Sequence, residues 1–454
     1  MRRCALLVIA CCLLTATVCA ETPWAFPAET GALHDGAVLA EITAQAEILP
    51  PLDDGRLADF NALIGHLRLN LYTAPTDGNG RTYGIEAAVD QTPCAAMSVT
   101  EPGDGGRLLG LPGFDSLIRD TGDEPANGFL SEATSWDLMM LPDLYLADAD
   151  LLLERLLRTE GIIEKKDRQT IRDNFGKTTR RLTLPATDGA AFGRLLRDAC
   201  PDGFLADFLG GLTFSGEQEF YMLCRDDGFA VKAAWTGTIL TRDGTARKYQ
   251  LEWKRIREDA NVRDVLTCSN PGKSGNMKFT FDRRAKKQGG RVSIELKDCT
   301  FDGVMPDGQA YRLTVAMKDV TADESGWSGT VTLKEALVRG KKATARRTLT
   351  LQPAAEEAQA IGWRLADAAS GQTWSGLARI RLNAADLLPA LPEAQTDPER
   401  LGLTREAILD TAGQVFGTRV LAALILLPDP ADTAFLREGL DDRVWQTVLD
   451  LTDE

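Results

Sequence analysis

The chain has almost no histidine: His34 and His66 are the two in 454 residues. A serine–histidine–acid triad would have to use one of them. No G-x-S-x-G elbow is present, because Gly326-Trp327-Ser328-Gly329-Thr330 has its second glycine one place too early. The stretch Asn270-Pro271-Gly272-Lys273-Ser274-Gly275 contains Gly-Lys-Ser but lacks the upstream glycine of a phosphate loop, and reads as a hairpin turn. No H-E-x-x-H, calcium-loop or strand-following G-x-G-x-x-G pattern occurs, and no two cysteines have C-x-x-C spacing. These gaps argue against the common acyl-transfer, nucleotide and metal chemistries. A carboxylate pair meeting in space remains open among the 66 acids, but the sequence singles out none. The expectation is a protein that is not an enzyme, with no catalytic residue, no metal ligand and no cofactor.

Long apolar runs are also scarce. Beyond residue 20 nothing approaches the roughly 18 apolar residues of a membrane helix, and the longest run, Val420 to Leu427, reads as a core helix segment. The start has a different character. Met1-Arg2-Arg3 is basic, Cys4 to Leu14 is apolar, and Val18-Cys19-Ala20 ends small, which predicts a secretory signal peptide over 1–20. The expected location is secreted or associated with the cell envelope. Of the nine cysteines, Cys94, Cys200, Cys224, Cys268 and Cys299 lie beyond that segment. An odd number cannot all pair within one chain, and they read as small buried hydrophobes.

Charge is plentiful and uneven. The chain carries −15 overall, which argues against nucleic acid as a main partner. Yet residues 242–347 hold 23 Lys or Arg against 14 Asp or Glu, a local +9. That excess could meet an anionic cell-wall polymer or a membrane surface, with Arg283, Arg284, Lys286 and Lys287 at one expected turn as the contact. It could equally be a solvated sheet face balanced by acidic neighbours.

Periodicity supplies the architecture. Ala37 to Leu49 has helical spacing and stops at Pro50-Pro51. Leu67, Leu69 and Leu71 alternate with polar residues, and an Asp- and Gly-rich turn returns the chain through Tyr83 to Asp90, predicting a hairpin. Helices are expected over 149–160 and 166–174, and a strand, turn and helix over 177–200. From 212 to 382 the pattern is almost all period-2, with turn signals at regular intervals, which predicts an antiparallel meander with one apolar face. Thr404 can cap a helix running to Leu427, and Asp429 another. The expected fold is α+β: a long curved antiparallel β-meander, half-barrel-like, with flanking and inserted helices and a C-terminal helical subdomain. The expected segments are the signal peptide at 1–20, an α+β region at 21–200, the meander at 201–385 and the helical subdomain at 386–454.

One device recurs in the meander. Trp235-Thr-Gly237, Trp327-Ser-Gly329 and Trp374-Ser-Gly376 each set a glycine two places after a tryptophan. A strand glycine leaves room for an indole to lie across it. Trp235, Trp327 and Trp374, with Trp253, are therefore expected on one apolar face. That face is either plain core or a groove for a lipid or other apolar small molecule.

The signal peptide, the segment 63–111 and the meander with its Trp-x-Gly strands together resemble the LolA/LppX type of exported lipid and lipoprotein carriers. They are similar also to uncharacterised exported proteins of Gram-positive bacteria. The resemblance implies an apolar cavity beneath the sheet and carries over no catalytic residue. The resulting expectation is a non-catalytic envelope protein that binds an apolar ligand against its sheet. The alternative is a structural or adhesion module with a solid core.

Overall fold

The computed structural model describes residues 37–76, 80–101, 107–120, 152, 155–156, 163–166, 180–200, 209, 212–224, 230–240, 246–258, 261–270, 278–288, 291–304, 310–323, 326–339, 342–354, 360–382, 384, 389, 392, 394–429 and 431–439. The expected signal peptide and most of the helices expected over 149–160 and 166–174 fall outside these residues. The chain is an α+β protein dominated by antiparallel sheet, as the alternation predicts. It forms two compact units, one of residues 35–122 with 354–454 and one of residues 123–353. The expected segments follow chain order, whereas the strands after residue 354 pair with those near residue 40.

The first unit contains β1 (Val38–Ile48), β2 (Leu67–Thr76), β3 (Gly80–Val89), β4 (Thr92–Glu101), β5 (Leu108–Gly110) and β6 (Leu117–Arg119). To these the chain later adds β18 (Ala360–Asp367), β19 (Gln372–Leu382) and β20 (Gln395–Thr396). The spatial order is β18–β19–β1–β2–β3–β4–β5–β6–β20, antiparallel except for β6 with β20. The helix expected over 37–49 is thus strand β1. Val38, Ala40, Ile42, Ala44 and Ala46 also alternate, and β1 pairs on both edges, with β19 and β2. Two ladders of hydrogen bonds outweigh the few tenths of a kcal/mol per residue by which alanine favours helix.

Helix α1 (Asp54–Gly65) and helix α4 (Arg405–Ile425) pack on the apolar face of this sheet; between them in sequence come α2 (Gly189–Ala199) and α3 (Pro398–Leu401). Thr404 caps α4 by accepting from the Ala407 N–H, as expected, and Asp53 caps α1, a helix not among those expected, by accepting from the Arg56 N–H. Ile408 and Ala412 of α4 pack with Leu109, Leu111 and Ile118, while Leu424 packs with Leu63 and Val89. The Arg405 guanidinium donates to Asp120, whose carboxylate is buried, at 2.7 and 3.2 Å. By length and composition α4 is apolar enough to cross a membrane, longer than the run at Val420 to Leu427 suggests. Here its buried side lies on the sheet. Asp429 accepts from the Ala431 N–H, but a turn intervenes and α5 (Ala434–Gly439) begins later than expected.

The second unit runs β7 (Ile163–Lys166), β8 (Arg180–Thr187), β9 (Thr213–Cys224), β10 (Ala230–Leu240), β11 (Ala246–Glu258), β12 (Asn261–Ser269), β13 (Lys278–Gln288), β14 (Arg291–Val304), β15 (Ala310–Asp323), β16 (Gly326–Arg339) and β17 (Lys342–Pro353). Each strand is antiparallel to the next in the chain. Asp188 caps α2 by accepting from the Ala191 N–H. The helix sets Phe192 edge-on to Phe214 of β9, ring centroids 5.1 Å apart. Strand β13 continues to Gln288, so residues 283–287 form strand rather than the expected turn.

Candidate functional site

The indoles come first, because the sequence points to them. Trp235 and Trp253 lie in phase on neighbouring strands β10 and β11, and both are buried. Trp235 meets Phe214 edge-on at 5.9 Å, and its Nε1 donates to the Gln218 Oε1 at 3.1 Å. Gln218 sits where the register of β9 slips, and its Nε2 donates to the carbonyls of Ser215 and Thr238 at 2.7 and 3.1 Å. One amide thus satisfies both a buried indole and the carbonyls exposed by a bulge. Trp253 donates to Asp264 Oδ1 at 3.2 Å. Along the same face of the sheet, from β11 to β16, Tyr249, Phe279, Cys299, Phe301, Leu313 and Leu333 are all at most 2 % exposed. Burial pushes the Cys268 and Cys299 thiols up to about 12, where they stay protonated and inert.

The remaining indoles part company. Trp374 belongs to the first unit, where it packs edge-on against Phe60 of α1 at 6.0 Å. The backbone of Trp327 opens β16 opposite Ala322; its side chain lies outside the described residues. The four expected ligand contacts, Trp235, Trp253, Trp327 and Trp374, are therefore divided between the two units.

The expected basic surface also divides. Arg283 points inward with 2 % exposure, whereas Arg284 and Lys286 are exposed; the side chain of Lys287 lies outside the described residues. Strand geometry is the reason: Phe279, Phe281, Arg283 and Ala285 share a phase, so the residue after Arg283 faces the other way. Arg283 lies opposite Asp264, which lies opposite Arg255. Arg255 donates from Nε to Asp264 Oδ1 at 2.6 Å, with both side chains at most 3 % exposed, and its guanidinium stands 5.0 Å from the Trp253 ring. This charged row is part of the core. On the wet face of the same sheet several charges are paired, Arg263 with Asp282, Arg312 with Asp302, and Glu252 between Lys232 and Lys254.

An open concavity lies elsewhere, on the polar face of the first unit. A cleft of about 510 Å³ is lined by Leu39, Glu41, Arg68, Asn70, Ala88, Gln91, Arg379 and Arg381. Registers explain why these meet. Arg379 of β19, Glu41 of β1, Asn70 of β2 and Glu86 of β3 lie opposite one another in one row across four strands. Glu41 Oε1 accepts from Arg68 Nη1 at 3.0 Å and from Arg379 Nη1 at 3.1 Å. Asn70 Nδ2 donates to Glu86 Oε1 at 2.9 Å, which fixes the orientation of the amide. Its Oδ1 is then buried with no hydrogen-bond partner. In the next row Tyr72 lies across Gly84, where a Cβ would collide with the phenol ring. Burial pushes that phenol up to about 12.

One titratable group outside the cleft has a distinctive setting. His66 Nδ1 lies 2.7 Å from Asp90 Oδ1, and Nε2 lies 3.1 Å from Asp432 Oδ2. The hydrogen bond to Asp90 is the main reason its pKa is raised, and Asp432 adds to it. The two ring nitrogens face opposite ways, so the carboxylates do not converge on a common point. Among the described residues, no group of three or more His, Cys, Asp or Glu side chains could hold a metal ion.

Comparison with known proteins adds little. No protein-family model matches the chain, and no curated protein does. Two solved structures share 8 % identity with it: one titled "Asymmetric conductivity of engineered proteins", with a TM-score of 0.24, and a mutant of Rh. blastica porin, at 0.22. The alignments cover 76 % of this chain and 98 % and 99 % of theirs. At such TM-scores neither likeness bears on fold or function.

Proposed function

We propose that this is an exported, envelope-associated, non-catalytic binding protein, and that its ligand site is the arginine-lined cleft of the first unit. The observation that carries the reading is a contrast in packing. Trp235 and Trp253 are buried, the first against Phe214 and Gln218 and the second against Arg255 and Asp264, whereas the cleft at Glu41, Arg68, Asn70, Arg379 and Arg381 is open and of a size suited to a small molecule. The ligand is accordingly a polar small molecule rather than a lipid lying on the indoles. Thermal-shift screening of the full chain against polar metabolites, alongside a lipid extract, tests this. A polar hit lost in Asn70→Leu supports the cleft. A stoichiometric lipid in the purified protein, with no polar hit, removes it. Export is tested by sequencing the N-terminus of the chain recovered from the envelope or medium, expected at Glu21.

A second reading, adhesion to an anionic envelope polymer or membrane, draws on Arg284 and Lys286. Both are exposed on β13, and neither makes an ion pair with a described residue. Unchanged sedimentation with phosphatidylglycerol vesicles after both become Ser would count against it.

A further inference from the structure

We propose that the cleft takes a small molecule bearing a carboxylate or phosphate, and that Glu41 is a resident counter-anion which the ligand's oxyanion displaces. This rests on the reading that the cleft is the ligand site. The lining carries three guanidinium groups, Arg68, Arg379 and Arg381, against one carboxylate, Glu41. Three further features point to an oxyanion.

First, Arg68 and Arg379 both end on the same Glu41 oxygen. Arg68 does not form with Glu41 the two-pronged pair that best matches a carboxylate to an arginine. For Arg68 that one contact is its hydrogen bond in this structure, so most of its five N–H donors face elsewhere. Second, Arg381 stands two residues along β19 from Arg379, on the same face and about 7 Å away. It is exposed and makes no ion pair with a described residue. An oxyanion between Arg381 and Arg68 would gain fork-shaped contacts that Glu41, one strand away, leaves unmade. Third, Asn70 Oδ1 lacks a donor. A ligand O–H or N–H beside its acid group would supply one once the Asn70 side chain turns that oxygen toward the cleft, which favours hydroxy acids, sugar acids and sugar phosphates over bare anions.

The arrangement also sets the affinity. Arg68, Arg379 and Glu41 are about one-third, one-third and one-sixth exposed, with side-chain values of 31 %, 32 % and 17 %. Their interactions are therefore partly screened, and the ligand must compete with an internal carboxylate. Binding is expected to be modest and to weaken as salt rises.

The test is calorimetric titration of the full chain with inorganic phosphate, citrate and D-glucuronate, with glucose as the uncharged counterpart. At least one oxyanion is expected to bind and glucose not. Arg381→Gln, at an exposed residue without an ion pair, should weaken binding about tenfold, equivalent to the loss of one charge-assisted contact. Glu41→Gln should strengthen it by a similar factor, because the guanidinium groups are no longer shared. Equal affinity in all three proteins, or no heat with any oxyanion in either the wild type or Glu41→Gln, overturns the proposal. The two readings fail differently. An uncharged polar ligand that binds and is lost in Asn70→Leu ends the oxyanion inference but keeps the cleft. The absence of any ligand of either kind at the cleft ends both.

Discussion

The two units use the same short device, a tryptophan followed two places later by a glycine, in different ways. At Trp235 and Gly237 the indole lies over its own glycine, where a Cβ would come 2.8 Å from the ring and would strike the Gln218 amide. At Trp374 and Gly376 the ring over the glycine is Trp363, from the facing position on β18, and a Cβ would strike the Thr43 carbonyl of β1. In the third copy Gly329 has φ +101° and lies near the register shift between β15 and β16. One string of residues thus makes room for a ring within its strand, a close approach of strands, or an irregularity in the ladder. A motif in a strand specifies a missing Cβ; the neighbour that uses the space is set by pairing.

The comparison extends to the sheets. Each has a dry face, but the first unit gathers Glu41, Arg68, Arg379 and Arg381 on the other face, in an open cleft, while the second buries Arg255, Asp264 and Arg283 within the dry one. A buried charge is tolerated when its partner is present and is costly once that partner is removed.

The largest effects should come from the second unit. Trp235→Ala should cost about 3–5 kcal/mol in denaturant unfolding, as for other fully buried indoles; Trp374→Ala, at a half-buried site beside Phe60, should cost clearly less. Equal losses would erase the contrast between the units. Asp264→Ala, which removes the buried carboxylate that accepts from Arg255, should also cost about 3–5 kcal/mol. Asp282→Ala on the wet face of the next strand should cost at most about 1 kcal/mol, and comparing the two midpoints sharpens the distinction between faces.

Glycine substitutions come next. Gly376→Ala meets backbone and should lose about 1–3 kcal/mol, more than Gly237→Ala, whose obstacles are the ends of side chains. A reversed order would mean that the Thr43 carbonyl can move more easily than Gln218.

The smallest effect is the pH dependence at His66. Its folded pKa is raised above the usual 6.5. Its contribution is therefore fully present below that unfolded value and fades as pH rises through the higher folded one. The stability difference between wild type and His66→Asn should shrink from pH 6 to pH 8, by less than about 1 kcal/mol for so exposed a pair. A difference that grows over that window would contradict the pairing with Asp90 and Asp432.

Much of the local structure is legible in the sequence. The hairpin at 67–89 follows from alternation around an Asp-Gly turn, and α4 from a threonine cap before an apolar helical run. Strand β1 is misread because its small alanines suit a helix, and nothing local reveals that β19, more than 300 residues away, will pair with it. Arg283 is different. Its inward direction is written in the phase of Phe279 and Phe281, but a cluster of basic residues beside glycines reads more readily as a turn. The cleft has no local signature at all. Arg68 and Asn70 look like ordinary polar positions between leucines.

The order of residues by itself determined the hairpin at 67–89, the alternation of most meander strands and the Thr404 cap, because period and capping are properties of a few neighbouring side chains. Only the tertiary structure decided that Glu41, Arg68, Asn70 and Arg379 share one surface while Trp235 and Trp374 do not. Pairing register and strand order depend on the fit of distant segments, and no single segment contains that information.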